Sequence, residues 1–254
     1  MNSVVRCDGV WKRYGRQARG IKELLVGRRK AVDSRYSREW ALQDISFEVE
    51  RGAAFGIVGH NGTGKSTLLS LLLGTILPDK GIIKVDGRVA SLLELGAGFH
   101  PELTGRENIF LYGSILGMSL AEIHKHLDGI IDFSELDGAI DNPIRTYSSG
   151  MIARLGFSTI IHAPVDILLI DEVLAVGDSR FKEKCKQYLH DFKTRHGTLV
   201  IVSHDMETLA EMCDSGMCMN IGHVLVKGPI SNVLSEYGAV MKLAQEQSNS
   251  VKVS

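Results

Sequence analysis

The run Gly59-His60-Asn61-Gly62-Thr63-Gly64-Lys65-Ser66 fits the pattern G-x-x-x-x-G-K-[ST]. The apolar stretch Ala53-Ala54-Phe55-Gly56-Ile57-Val58 precedes it, and a Leu-rich helical stretch from Thr67 to Leu73 follows. Strand, glycine-rich loop, helix is the order this pattern needs. Glycines let the backbone curl until successive N–H groups point at phosphate oxygens, and the helix N-terminus adds positive potential. Lys65 then reaches the β- and γ-phosphates, and Ser66 offers its hydroxyl to Mg²⁺. The rival reading, a glycine turn beside a stray lysine, does not account for the flanking strand and helix. The chain is expected to bind a nucleoside triphosphate.

Composition narrows the setting. The 254 residues are 44% hydrophobic and 23% charged, which suits one large α/β domain or two small ones. A net charge of −1 provides no global basic field for nucleic acid. Cys7, Cys185, Cys213 and Cys218 are scattered, as free thiols are, without the spacing of a zinc site. No apolar leader follows Met1, and the longest apolar stretches, such as Leu71 to Leu77, fall short of the ~20 residues of a membrane span. A cytosolic protein that reaches a membrane through a partner is the expectation.

Downstream, Ile167-Leu168-Leu169-Ile170-Asp171-Glu172 reads as a strand buried on both faces of a parallel sheet. Ligands of such sheets bind beyond the strand carboxyl ends, where Asp171 and Glu172 would stand. One carboxylate there can hold Mg²⁺, and the next can orient or deprotonate a water. Alone, the pair could equally cap a strand. Tyr147-Ser148-Ser149-Gly150-Met151 opens a helical run, with Ser148 or Ser149 as N-cap and Gly150 allowing close approach. By itself this is an ordinary helix start. Leu199-Val200-Ile201-Val202-Ser203-His204-Asp205 is a further buried strand ending in polar residues, where a lone histidine is usually structural.

In order and spacing, these segments resemble the ATP-binding subunit of an ABC transporter over residues 3 to 230. The resemblance implies a P-loop NTPase of ABC type: an α/β fold with a mostly parallel core sheet, an antiparallel β subdomain and a helical subdomain. It assigns residues 59 to 67, through Thr67, to the phosphate loop, Asp171 and Ser66 to Mg²⁺, and Glu172 to the catalytic base. Tyr147 to Met151 occupies the place of the signature motif, so Ser148, Ser149 and Gly150 would face nucleotide. Asp178 takes the D-loop position and His204 that of the switch histidine. Tyr14, in Val10-Trp11-Lys12-Arg13-Tyr14-Gly15, resembles the aromatic that stacks on adenine, with a packed surface aromatic as its rival. ATP and Mg²⁺ are the implied cofactors. A second copy arranged head to tail and an integral membrane permease are the implied partners.

Three details are similar to a narrower group, the ATPases that export capsular polysaccharide, O-antigen or teichoic acid. One is Tyr-Ser-Ser-Gly-Met in the signature, and another is Leu174-Ala175-Val176-Gly177-Asp178. The third is Ser91 to Asn108, which stands where most transporters carry the Q-loop glutamine. It contains none, and Glu94 or Leu95 falls at about that position. Such a subunit would sit on the cytoplasmic face of the bacterial cell membrane, with a lipid-linked glycan as cargo. A soluble ABC ATPase without a permease, or transport of another cargo, is the alternative.

The expected division is an ATPase domain over 1–238, with a helical subdomain about 104–163, and a frayed tail over 239–254. Alternation in Leu42, Ile45, Phe47 and Val49 predicts the antiparallel start, and Gly81 to Gly87 a further strand. Helical periodicity runs from Thr104 to Leu136, with Ile109, Tyr112, Ile115 and Leu116 on one face. The carbohydrate-binding domain that some O-antigen exporters append is not expected. An insertion about 15–40 lengthens the link from Tyr14 to the next strand. From Lys12 to Arg38 it sets ten basic residues against Glu23 and Asp33, leaving +8. Lipid phosphates or plain solvent would suit that charge.

Overall fold

The computed structural model describes residues 3–14, 40–92, 95, 96, 98–171 and 178–251, with side chains described as far as 241. The basic insertion, Glu94, Glu172 and the Leu174–Gly177 segment lie outside the described residues.

Two sheets organise the described chain. The smaller is antiparallel, in the order β2-β1-β4: β1 (Ser3–Arg13), β2 (Trp40–Glu50) and β4 (Lys80–Val85). The larger runs β5-β6-β7-β3-β8-β9. It is built from β3 (Ala54–Gly59), β5 (Val89–Ser91), β6 (Ile167–Asp171), β7 (Thr198–Val202), β8 (Ser215–Asn220) and β9 (His223–Pro229). Strands β5 through β8 pair in parallel, and β9 returns antiparallel to β8 as a hairpin. Strands β3 and β7 are buried at every residue, which explains their unbroken apolar sequence.

Helix α1 (Lys65–Leu72) leaves the phosphate loop. Its Leu68, Leu69, Leu71 and Leu72 join Leu42, Ile45 and Phe47 of β2 in one core between the two sheets. Each leucine so buried contributes about 1.5–3 kcal/mol. The other face of the large sheet is covered by α4 (Ser149–His162), α5 (Ser179–Thr194), α6 (Met206–Met212) and α7 (Ile230–Val251). The helical subdomain adds α2 (Gly105–Ile115), α3 (Leu120–Ser134) and a 3₁₀ turn at Ile144–Thr146, with its own core around Ile109, Ile123, Ile130 and Leu155.

Two expectations change. The tail over 239–254 is not frayed at the backbone as far as Val251, because α7 continues through it. Val233 and Tyr237, just before that segment, bury one face of α7, and Met241 within it packs on the core. In α2, Ile109 and Tyr112 face inward, whereas Ile115 is 62% exposed at the helix end. Gly117 adopts φ 85° directly beyond, turning the chain before the apolar stripe closes.

Candidate functional site

The phosphate loop hangs between β3 and α1. Gly62 and Gly64 have φ 83° and 99°, the left-handed region that glycine occupies without steric cost. Gly64 is the N-cap of α1 and offers no side chain to cap it, which leaves the first N–H groups of the helix aimed at the loop. Close packing fixes the curl. A Cβ at Gly59 would stand 2.5 Å from the Met219 carbonyl, and one at Gly64 would stand 2.5 Å from that of Ala41. Lys65 is only 7% exposed and donates from Nζ to the Gly59 carbonyl at 2.7 Å and the His60 carbonyl at 3.0 Å. Thr63 Oγ1 donates to the His60 carbonyl at 2.9 Å, and the Gly222 N–H in the β8–β9 turn donates to the Thr63 carbonyl at 3.1 Å.

Asn61, Gly62, Gly64, Lys65, Ser66 and Thr67 line a cavity of about 370 Å³ with Ala41 and Asp171. Asp171 arrives from the carboxyl end of β6, far off in sequence. The Ser66 hydroxyl and Asp171 carboxylate supply the hard oxygen donors that suit Mg²⁺, beside a lysine that suits phosphate. Tyr14 reaches the rim, its hydroxyl 3.2 Å from Thr67 Oγ1, and the residue is 59% exposed. The structure therefore brings Tyr14, the loop and Asp171 together. Gly59 and His60 support the loop from behind through their carbonyls.

Other expected residues stand apart from the cavity wall. His204 is exposed just beyond β7, which lies between β6 and β3 in the sheet, so it shares the edge where the loop and Asp171 emerge. Ser148 caps α4, accepting from the Met151 N–H at 3.2 Å, and Ser149 is exposed. A Cβ on Gly150 would meet only Ser148 Oγ, at 3.8 Å. None of the three lines the cavity. Asp178 caps α5 by accepting from the Phe181 N–H at 2.9 Å, and that bond, with nearby Arg154, holds its carboxyl below the usual range. Of the two Q-loop candidates, Leu95 packs against the core and approaches Gly156, away from the loop. A larger cleft of about 700 Å³, lined by Glu183, Lys186, His190, Lys193 and Glu211, holds no phosphate-loop residue.

Sequence reading missed the supports. Ala41 walls the cavity, and Gly222 holds Thr63 from the far end of the chain. Asn108, fully buried, ties down the loop that resembles the export group. Its Nδ2 donates to the His100, Leu103 and Thr104 carbonyls, and its Oδ1 accepts from the His100 N–H at 2.7 Å. The capping box Thr104–Glu107 beside it was the one local signal available.

The model of the ABC transporter family matches residues 42–175. The O-antigen export system ATP-binding protein RfbB of Klebsiella pneumoniae is 44% identical over 245 residues, covering 95% of this chain and all of that protein. The teichoic acids export ATP-binding protein TagH of Lactococcus lactis is 43% identical over 198 residues, covering 78% of this chain and 42% of that protein. Among solved structures, a dimeric ATP-binding cassette in a post-hydrolysis state with ADP and Pi superposes with a TM-score of 0.71 at 20% identity, covering 89% of this chain and 98% of that one. No helix among the described residues is long and apolar enough to cross a membrane. With its phosphate loop, the aspartate of β6 and a match to the family over residues 42–175, the chain belongs to the ABC transporter family and groups there with the ATP-binding proteins of O-antigen and teichoic-acid export.

Proposed function

We propose that the chain is the ATP-hydrolysing motor of an exporter that moves a lipid-linked polysaccharide across the cytoplasmic membrane through a separate permease. The observation that carries the reading is a division within one chain. Lys65, Ser66, Thr67 and Asp171 share a cavity, while Ser148, Ser149 and Gly150 stand on an exposed helix start outside it. A second copy turned head to tail supplies the missing wall. Each nucleotide then lies between one copy's phosphate loop and the other's signature helix, whose N-terminal amides and serine hydroxyl complete the γ-phosphate site.

In that arrangement the loop amides and Lys65 hold the phosphates, Lys65 exchanging its carbonyl partners for phosphate oxygens. Tyr14 stacks on the base. Ser66 and Asp171 would hold Mg²⁺, which supplies neutralising charge on the transferred phosphoryl group. Glu172 orients the attacking water and takes its proton, and His204 donates toward the γ-phosphate from the neighbouring strand. Asp178, capping α5, lies toward the partner copy. Loss of the γ-phosphate removes the contact that joins the copies, and their separation drives the permease. The names of the similar proteins, ATP-binding proteins of O-antigen and teichoic-acid export, support the glycan cargo; a motor that takes its ATP from the cytoplasm would sit on the cytoplasmic face of the membrane.

The test is mass spectrometry of the detergent-solubilised complex purified on tagged Glu172→Gln protein in ATP. A small polytopic membrane protein carrying a lipid-linked glycan is expected. A ribosomal partner would overturn the export reading, and a permease loaded with another cargo would overturn the polysaccharide reading.

A further inference from the structure

Two cations from different helices converge on one carboxylate away from the nucleotide cavity. Glu135 follows α3 and accepts from Arg154 Nη2 at 2.8 Å and from Lys184 Nζ at 3.0 Å. Arg154 belongs to the signature helix α4, and its Nε also donates to the Ser134 carbonyl at 2.8 Å. Lys184 belongs to α5 and also donates to the Phe133 carbonyl at 3.1 Å. The cations lie over aromatic faces, Arg154 5.1 Å from the Phe181 ring and Lys184 4.6 Å from that of Phe133. Arg154 Nη1 further approaches Asp178 Oδ2, at 3.8 Å. The Lys184 bond foremost, with Arg154, holds the Glu135 carboxyl below the usual carboxylate range.

The backbone makes the choice of residue informative. Glu135 has φ 55° and ψ 40°, the left-handed conformation at a helix end where glycine is the usual occupant. Glycine would relax the turn. What glycine lacks is the carboxylate that joins α4 to α5.

We infer that Glu135 is a positioning residue for ATP turnover: by seating Arg154 and Lys184 on one carboxylate, it fixes Ser148–Gly150 relative to Asp178. This rests on the reading that a second copy completes the nucleotide site. The start of the signature helix and the start of the helix after β6 then meet the partner's nucleotide as one rigid face. Charge-assisted bonds suit that task, because they are directional as well as attractive.

Glu135→Gly separates the tether from the fold, since it eases the backbone while removing the carboxylate. In the Glu172→Gln background, ATP-dependent dimer formation is expected to weaken about tenfold in dissociation constant, with nucleotide affinity of the single copy within about twofold. Amide exchange at Ser149–Ala153 and at Ser179–Phe181 should accelerate about tenfold, while the phosphate loop stays as protected as in the parent. Unchanged dimer affinity together with unchanged exchange at those two segments overturns the inference. Equal acceleration in the phosphate loop also overturns it, because Glu135 would then be only a general stabiliser. If the Glu172→Gln parent forms no dimer with ATP, the composite-site reading fails, and the positioning role fails with it; the exchange data then report only whether the tether exists.

Discussion

At the scale of single residues, the site depends on backbone that only certain side chains permit. The loop closes because Gly59 and Gly64 let two carbonyls come where a Cβ would stand. The β8–β9 turn supports it by backbone alone, through the Gly222 N–H on Thr63. One residue in that turn is poorly chosen for its conformation. Ile221 has φ 44°, a region where a β-branched side chain is strained by about 1–2 kcal/mol, and it is 72% exposed, so burial returns little. Asparagine tolerates the left-handed region and is favoured in such two-residue turns. Ile221→Asn should therefore raise the thermal unfolding midpoint by about 2–4 °C and leave nucleotide affinity unchanged. An unchanged or lowered midpoint would show that the turn is not strained.

Elements carry the next level of control. Thr104–Glu107 and Ser119–Glu122 form capping boxes at α2 and α3, fixing where the helical subdomain begins each turn. At the other end of the signature helix, His162 bonds through Nδ1 to the Ser158 carbonyl at 2.8 Å and faces Gly129, where a Cβ would stand 3.1 Å from its Nε2. Its burial foremost, with nearby His126, keeps its pKa below the ordinary 6.5. A base whose folded pKa is depressed stays neutral in the native state while the unfolded chain takes up a proton. Stability is then full above pH 6.5 and declines as pH falls from there toward the folded value. Urea unfolding of the wild type should lose more stability between about pH 7.5 and 5.5 than His162→Gln does. Equal losses would remove His162 from the pH response.

These elements also show what a sequence carries openly. The phosphate loop, the β6 carboxylates and the signature are contiguous strings whose spacing is fixed by local geometry, so they can be read without the fold. Tyr14 on Thr67, Gly222 on Thr63 and Lys184 on Glu135 join residues 53, 159 and 49 positions apart, and only folding creates them. The α7 helix was illegible for a different reason. The polar composition beyond 239 resembles a solvated tail, and the continuation of the helix is anchored before it by Val233 and Tyr237 and within it by Met241, which face the core. Family resemblance supplied the roles of Ser148, Asp178 and His204, which in isolation are a helix cap, another helix cap and an exposed histidine.

At the scale of the whole molecule, the proposed motor needs each chain to hold half of each nucleotide site. On the proposed function, the cavity gathers the phosphate-binding half, and the start of α4 offers the other half to a second copy. Gly150 allows this to be tested cleanly, because the space around it admits a side chain in the single copy and a helix start tolerates an acidic residue. Gly150→Asp should fold normally and bind nucleotide as a single copy, since the change lies outside its own cavity. Its carboxylate would meet the partner's γ-phosphate, so steady-state hydrolysis should fall by more than about tenfold, of the order of the loss of a transition-state donor. Mixing it with Lys65→Ala, inactive by itself, should restore turnover, because the mixed dimer pairs an intact loop with an intact signature. The measurement is ATP hydrolysis by the two variants apart and together. Recovery on mixing is the predicted result, and wild-type hydrolysis by Gly150→Asp alone would contradict a site shared between copies.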